Sequence, residues 1–202
     1  MDIAPADILT RHRVPRHRLT VHDYHRLGEA GVLGEDDRVE LLEGQLVDMS
    51  PIGPRHAFVI DLLTRLLVLA VGDRAWVRVQ NPVVLDSGSE PQPDIVVARP
   101  KPGGYLAAHP RPEDVLLLIE VADSSFEFDS GAKRELYARA GIREFWIVDL
   151  TNNRVLVHRS PTGGVYASTQ PVGTSGTLQV EALPDVVIPA ATILIAAATV
   201  LT

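Results

Sequence analysis

Apolar residues in this chain follow two periods, and their order along the sequence sets out the elements. From His56 to Val71 they fall at Phe58, Val59, Leu62, Leu63, Leu66, Leu67, Leu69 and Ala70, which predicts a helix with a broad buried face. Trp76 to Leu85 alternates and is rich in β-branched residues, as a strand is. After a turn over Ser87 to Gln92 come two continuous apolar runs, Ile95 to Ala98 and Val115 to Val121. Such runs predict strands covered on both faces. A Pro/Gly-rich loop, Pro100 to Pro112, separates them. Ser130 to Ala140 predicts a helix stopped by Gly141, and Glu144 to Leu150 another buried strand. Asn152-Asn153 then turns the chain into a hairpin partner, Arg154 to Arg159.

Shorter elements flank this core. Thr20 is placed to cap a short helix ending near Gly31. Val39 to Pro51 predicts two short strands turning at Glu43-Gly44, followed by a loop to Pro54. Beyond residue 160 the pattern predicts further strands and a packed end segment. There is no internal repeat and no low-complexity stretch. The central order is α-β-β-β-α-β, a mixed sheet with a helix on either side, in the α/β (α+β mixed-sheet) class.

Composition adds limits. The 202 residues suit one domain with a sizeable core, and 46% hydrophobic with 22% charged residues is a globular balance. The absence of cysteine excludes disulfides and cysteine-bound zinc, and fits a cytoplasmic location. The opening residues lack a basic-then-apolar leader pattern, and the last apolar run, Ala191 to Leu201, is too short to span a bilayer. No membrane association is expected. The net charge of −7 counts against tight nonspecific DNA binding. Residues 1–26, however, hold five Arg against three Asp, a net of +2, leaving −9 for the remainder. The expected organisation is a basic arm over residues 1–19, frayed as termini are, and one domain over residues 20–202.

Glu120 is the residue that most demands an explanation. A lone carboxylate inside an apolar strand costs several kcal/mol unless it is paired, protonated or bound to a cation. Pro93-Asp94 opens the preceding apolar strand, and Lys133 follows Glu120 by thirteen residues on a predicted helix. If the two strands are antiparallel neighbours, Asp94 and Glu120 meet. Their hard oxygens would suit Mg²⁺ or Mn²⁺. A metal-activated water and a lysine near the phosphate would make a phosphodiesterase. Each residue has a plainer explanation as well. Asp94 after proline fits an Asx turn, Glu120 a salt bridge to a core arginine, and Lys133 a solvated helix position. Glu40 on the early hairpin is a further candidate ligand, while Glu43 at its turn is expected to be solvated. His56 begins the long helix as a phosphate contact or a local cap. Asp129 is read first as an N-cap and second as an outer partner of the metal site.

The blocks ELLEGQLVDMSP, His56, PDIVVARP and LLIEVADSSFEFDSGAKRELYARAGIREFWIVDL together resemble the Uma2-like, DUF820 group of restriction endonucleases, within the PD-(D/E)XK nuclease superfamily. The resemblance runs from about Thr20 onwards, and the block over residues 118–150 is its specific part. It implies a restriction-endonuclease-like αβββαβ core carrying an N-terminal helix and hairpin and extra C-terminal strands. It also implies that Asp94 and Glu120 are metal ligands, with Glu40 and His56 at recurrent positions. One departure stands out. The superfamily pattern would place lysine at 122, where this chain has Ala122, and Lys133 on the following helix matches the migrated lysine of the group.

The expected function is Mg²⁺-dependent hydrolysis of DNA phosphodiester bonds by a homodimer, since cutting two strands needs two sites. The alternative is a catalytically silent nuclease-fold module that binds nucleic acid or protein. Nucleophile-elbow, phosphate-loop, dinucleotide and H-E-x-x-H zinc motifs are all missing from the sequence.

Overall fold

The computed structural model describes residue 12, residues 14–34 and residues 36–199. Helix α1 (Val21–Glu29) opens on a capping box: the Thr20 hydroxyl accepts from the Asp23 amide at 3.1 Å, and the Asp23 carboxylate accepts from the Thr20 amide at 3.0 Å. Strands β1 (Val39–Leu42) and β2 (Gln45–Asp48) pair antiparallel around Glu43-Gly44. Both turn residues have positive φ, 49° and 72°, the twist a two-residue hairpin favours. Gly44 has no substitute here, because a Cβ would stand 2.6 Å from that of Arg18. Arg18 donates to the Glu43 carbonyl at 2.6 Å and the Leu19 amide to the Gly44 carbonyl at 3.0 Å. The end of the basic segment is therefore tied to this turn. Its residues 1–11 and 13 lie outside the described residues.

Helix α2 (Pro54–Val71) buries Val59, Ile60, Leu63, Leu67 and Val71. The main sheet follows, with β3 (Trp76–Val79), β4 (Ile95–Ala98), β5 (Val115–Ala122), β6 (Glu144–Asp149), β7 (Arg154–Thr162) and β8 (Val165–Val172) adjacent in sequence order. Only β5 and β6 are parallel, and the crossover that parallel pairing requires is α3 (residues 126–140). A second hairpin, β9 (Thr177–Val180) and β10 (Leu183–Pro189), leads into α4 (Ala190–Thr199). The expected αβββαβ core is thus α2-β3-β4-β5-α3-β6. No helix among the described residues is long and apolar enough to cross a membrane.

Period-two alternation divides the core. Ile95, Val97, Ile119 and Val121 face α2, α4 and the β9–β10 hairpin. Val96, Ala98, Leu118, Phe145 and Ile147 face α3. The apolar tail expected to be a packed end segment is helical as far as Thr199, with Ile193, Leu194 and Ala197 buried in the α2-side cluster, and its residues 200 and 201 lie outside the described residues.

Two boundaries differ from the pattern. The strand predicted over Trp76 to Leu85 ends at Val79. Gln80 has left-handed φ of 49°, and Pro82 has no amide to continue a ladder. The helix predicted from Ser130 begins at Phe126. It consists of an α turn (Phe126–Phe128), a π turn (Asp129–Lys133) and an α segment (Arg134–Ala140). It stops as predicted at Gly141, whose φ is 80°.

His158, inside β7, is buried against Phe145, with ring centroids 5.5 Å apart. Its Nδ1 lies 2.8 Å from the Thr169 hydroxyl, and its Nε2 has no partner among the described residues. Burial, helped by the charge of Arg134, pushes its pKa down to about 4. The unfolded chain, with an ordinary histidine near 6.5, therefore binds a proton that the folded chain rejects between these values. The His158 contribution to stability should fall as pH drops through that window and level off below it. Urea denaturation of His158→Gln beside wild type should remove a pH-dependent loss on the order of 2 kcal/mol. Parallel pH profiles for the two proteins would refute the assignment.

Candidate active site

The strand register brings the two central acids together. Ile95 pairs with Ile119 and Val96 with Leu118, so the next step along the ladder sets Asp94 opposite Glu120. Alternation points both toward α3, the face of Val96 and Leu118. The Asp94 amide donates to Glu120 Oε2 at 3.3 Å, and the Val121 amide donates to Asp94 Oδ2 at 2.8 Å.

Helix α3 supplies the counter-charge. Lys133 Nζ donates to Glu120 Oε1 at 3.0 Å and reaches Glu40 Oε1 at 3.3 Å. The Tyr137 hydroxyl also donates to Glu120 Oε1, at 2.6 Å. Asp129, Lys133 and Tyr137 are spaced i, i+4, i+8 and form one stripe of the helix. The π turn spanning the first two buries both. Glu40 arrives from β1, and its second oxygen accepts from the Gln92 amide at 3.0 Å. His56, in the first turn of α2, brings Nε2 to 3.0 Å from Asp94 Oδ2, while its Nδ1 is buried without a partner among the described residues.

These groups line a cavity of about 100 Å³ whose walls also include Arg38, Asp48, Gln80, Ser125 and Phe128. Five acids, Glu40, Asp48, Asp94, Glu120 and Asp129, surround it with one buried lysine. The protonation balance reflects that excess. Burial pushes the Glu120 carboxyl up; Lys133 opposes this, but Asp129, Asp94 and Glu40 reinforce it. Asp129 is raised by burial against the opposing pull of Lys133 and Ser125. Burial alone would lower Lys133, yet Glu120, Glu40 and Asp129 outweigh it and hold the amine charged well above its ordinary range.

Among the described residues no three acids or histidines converge as a ready-made metal set. The carboxylates rest instead on Lys133, Tyr137, His56 and backbone amides. The donor chemistry still fits a hard divalent cation, which needs one or two carboxylates and fills its remaining positions with water or phosphate. Asp94 and Glu120, with Glu40 nearest to them through Lys133, are the residues able to hold one.

The structure thus gathers Asp94, Glu120, Lys133, Glu40, His56 and Asp129 around one cavity. Glu120 pairs with a lysine rather than an arginine. Asp129 does not cap α3, because the helix already runs through it from Phe126; its buried carboxylate accepts from the Ser125 hydroxyl at 2.5 Å. Glu43 is half-exposed and pairs with Arg139, outside the cavity. Several contributors, Phe128 among them, are absent from the sequence analysis. Tyr137 was legible in the i, i+4, i+8 spacing after Asp129. Gln92 was legible between the prolines of P-Q-P-D. Gln80, held at positive φ with its side chain 3.5 Å from Asp94 Oδ1, and Arg38 gave no sequence signal.

A mixed αβββαβ sheet with paired acids on neighbouring strands and a lysine beside them defines a restriction-endonuclease-like fold. A solved structure with that architecture, titled a "putative nuclease belonging to DUF820" from Anabaena variabilis ATCC 29413, superposes with a TM-score of 0.72 at 14% identity, covering 89% of this chain and 99% of that one. Residues 21–191 match the family model Uma2, described as "Putative restriction endonuclease", and the chain belongs to that family. No curated protein matches it.

Removing one partner from a buried charge pair leaves the other uncompensated. Lys133→Met should therefore lower the unfolding free energy at neutral pH by about 3–5 kcal/mol. Tyr137→Phe, which removes one donor to Glu120, should cost about 1–3 kcal/mol. Chemical denaturation measures both. A Lys133→Met protein as stable as wild type would mean that Lys133 does not neutralise the site.

Proposed function

We propose that this protein is an endonuclease that hydrolyses DNA phosphodiester bonds, using Mg²⁺ or Mn²⁺ held by Asp94 and Glu120, with Glu40 the next candidate ligand. The observation that carries this is the antiparallel register of β4 and β5. It sets two buried carboxylates side by side, with the Lys133 ammonium 3.0 Å from one of them. When bound, the cation neutralises charge on the phosphate and lowers the pKa of a water. The chain's own groups do the rest. Lys133 stays charged and donates to a phosphate oxygen as negative charge grows on it. His56 and the Val121 amide fix the Asp94 carboxylate. Tyr137 fixes that of Glu120. The recessed position of the acids keeps bulk water from competing for the phosphate.

Cutting both strands of a duplex would take two copies of the chain, and a homodimer is proposed on that ground. A second reading, a silent nuclease-fold module, draws on the carboxylates being already engaged by protein donors with no three-residue set among the described residues.

The test is cleavage of supercoiled plasmid and single-stranded DNA in Mg²⁺ or Mn²⁺ by wild type, Asp94→Asn, Glu120→Gln and Lys133→Arg, each checked for an intact thermal melt. Wild type should nick, and each variant should lose about 100-fold or more. Cleavage that persists in all three variants would sink the assignment. Absence of cleavage and of Mn²⁺ binding would favour the silent module.

A cation binding at Glu120 must displace the proton that burial and neighbouring acids favour there. Mn²⁺ affinity measured by calorimetry should therefore tighten as pH rises through neutrality, with proton release. A flat pH dependence would remove Glu120 from the ligand set.

A further inference from the structure

Two side chains at the mouth of the cavity are not used by the chemistry above. Arg38, just before β1, is exposed and lines the cavity. Its guanidinium has no hydrogen-bond or ion-pair partner among the described residues, although five acids share the cavity with it. An arginine left unpaired beside so many carboxylates is available to an anion from outside. Phe128 is the aromatic side chain of the cavity lining and is 36% exposed. Its ring lies 5.6 Å from the Lys133 amine and forms a wall of the cavity. It also borders both hollows that adjoin the cavity, one of them about 600 Å³.

The charge of those hollows says what can enter them. Asp48 and Glu127 line one, and Glu43 and Glu135 the other. The single cation there, Arg139, is already paired with Glu43. A phosphate backbone is repelled from such walls, which unlike the cavity hold no lysine or unpaired arginine to offset their acids, whereas a neutral base with exposed amino groups is not. Their apolar surface comes from Phe128, Val47, Ala132 and Leu136. Phosphate therefore belongs on the Arg38 side of the cavity and base on the Phe128 side.

We propose that the site takes an unpaired nucleotide, its phosphate held by Arg38 and its base stacked on Phe128. This rests on the nuclease reading and narrows its substrate to a single strand or an unpaired position in a duplex, such as a flap. A base within a perfect duplex has both faces stacked and its edge paired, so it cannot use an aromatic platform. The second strand of that duplex would also bring its phosphates over the acidic hollows. One strand needs only one site, so this substrate does not itself require a dimer.

The experiment is fluorescence anisotropy of the full chain with a labelled single strand, a flapped duplex and a perfect duplex, in Ca²⁺ so that binding is read without turnover. Wild type should bind the single strand and the flap roughly tenfold or more tighter than the perfect duplex. Phe128→Ala should lose that preference and Phe128→Tyr should keep it; a thermal melt verifies that both are folded. Arg38→Ala should weaken binding of the single strand and reduce its log–log salt slope by about 0.7. Tighter binding of the perfect duplex, or an unchanged preference in Phe128→Ala, overturns this inference and leaves the nuclease reading standing. Failure to bind any nucleic acid overturns both. A flap bound no better than the perfect duplex, with the single strand still preferred, restricts the substrate to free single strands.

Discussion

The structure turns on keeping a carboxylate in the middle of an apolar sheet. Glu120 stands between Ile119 and Val121, both inaccessible to solvent, in a strand whose every residue is buried. Such a group is tolerable only if its charge is met at close range. Lys133 and Tyr137 meet it from α3, and Asp94 meets it from β4 through its amide. The position of α3 over the sheet is therefore an electrostatic requirement as well as a packing one. The crossover that the parallel β5–β6 pair needs anyway is also the element that neutralises the acid.

Lys133 and Tyr137 hold Glu120 in place, but they do not offset the acids of the cavity. One lysine faces four buried acids; burial first, and neighbouring acids second, push Glu120 and Asp129 up. A protein selected for stability alone would gain by replacing most of these groups with apolar ones of similar shape. One backbone position at the same place is strained as well. Gln80 is held at φ 49° with its amide on the Asp94 carbonyl at 2.9 Å. A non-glycine residue in that conformation, beside carboxylates in excess, is a cost in stability that packing alone does not require.

The sequence carried the fold because its signals were local. The apolar runs of β4, β5 and β6, the periodicity of α2, the turn at Glu43-Gly44 and the stop at Gly141 are each settled within a few residues. The strand end at Val79 was harder to read, since Gln80 takes left-handed φ to satisfy contacts with Asp94 and Gln92, both remote in sequence. The π turn was equally hidden. A sequence pattern shows that Asp129, Lys133 and Tyr137 share a stripe, but not that the helix begins at Phe126 and widens to bury the first two. For the site, the anomaly of an acid in an apolar strand was enough to find Glu120, and through it Asp94 and Lys133. Arg38 could not be found that way. An exposed arginine before a strand is ordinary until the fold sets it at the rim of an acidic cavity.

The lysine's place on a helix has a physical reason in the strand. Ala122 lies two residues past Glu120 on the same face and is fully buried in the α3-side core with Tyr137 and Leu136. A lysine stem at 122 would need the space where α3 packs. A small residue there lets the helix approach, and the helix then brings its own amine to Glu120. The two solutions differ in what they couple. A lysine two residues along the strand would be fixed by the sheet itself. Lys133 is fixed only while α3 is docked, so the charge balance of the site and the packing of that face stand or fall together. The same docking sets Phe128 at the cavity mouth, one turn before Lys133, so a single helix carries both the ammonium facing the acids and the aromatic surface facing outward.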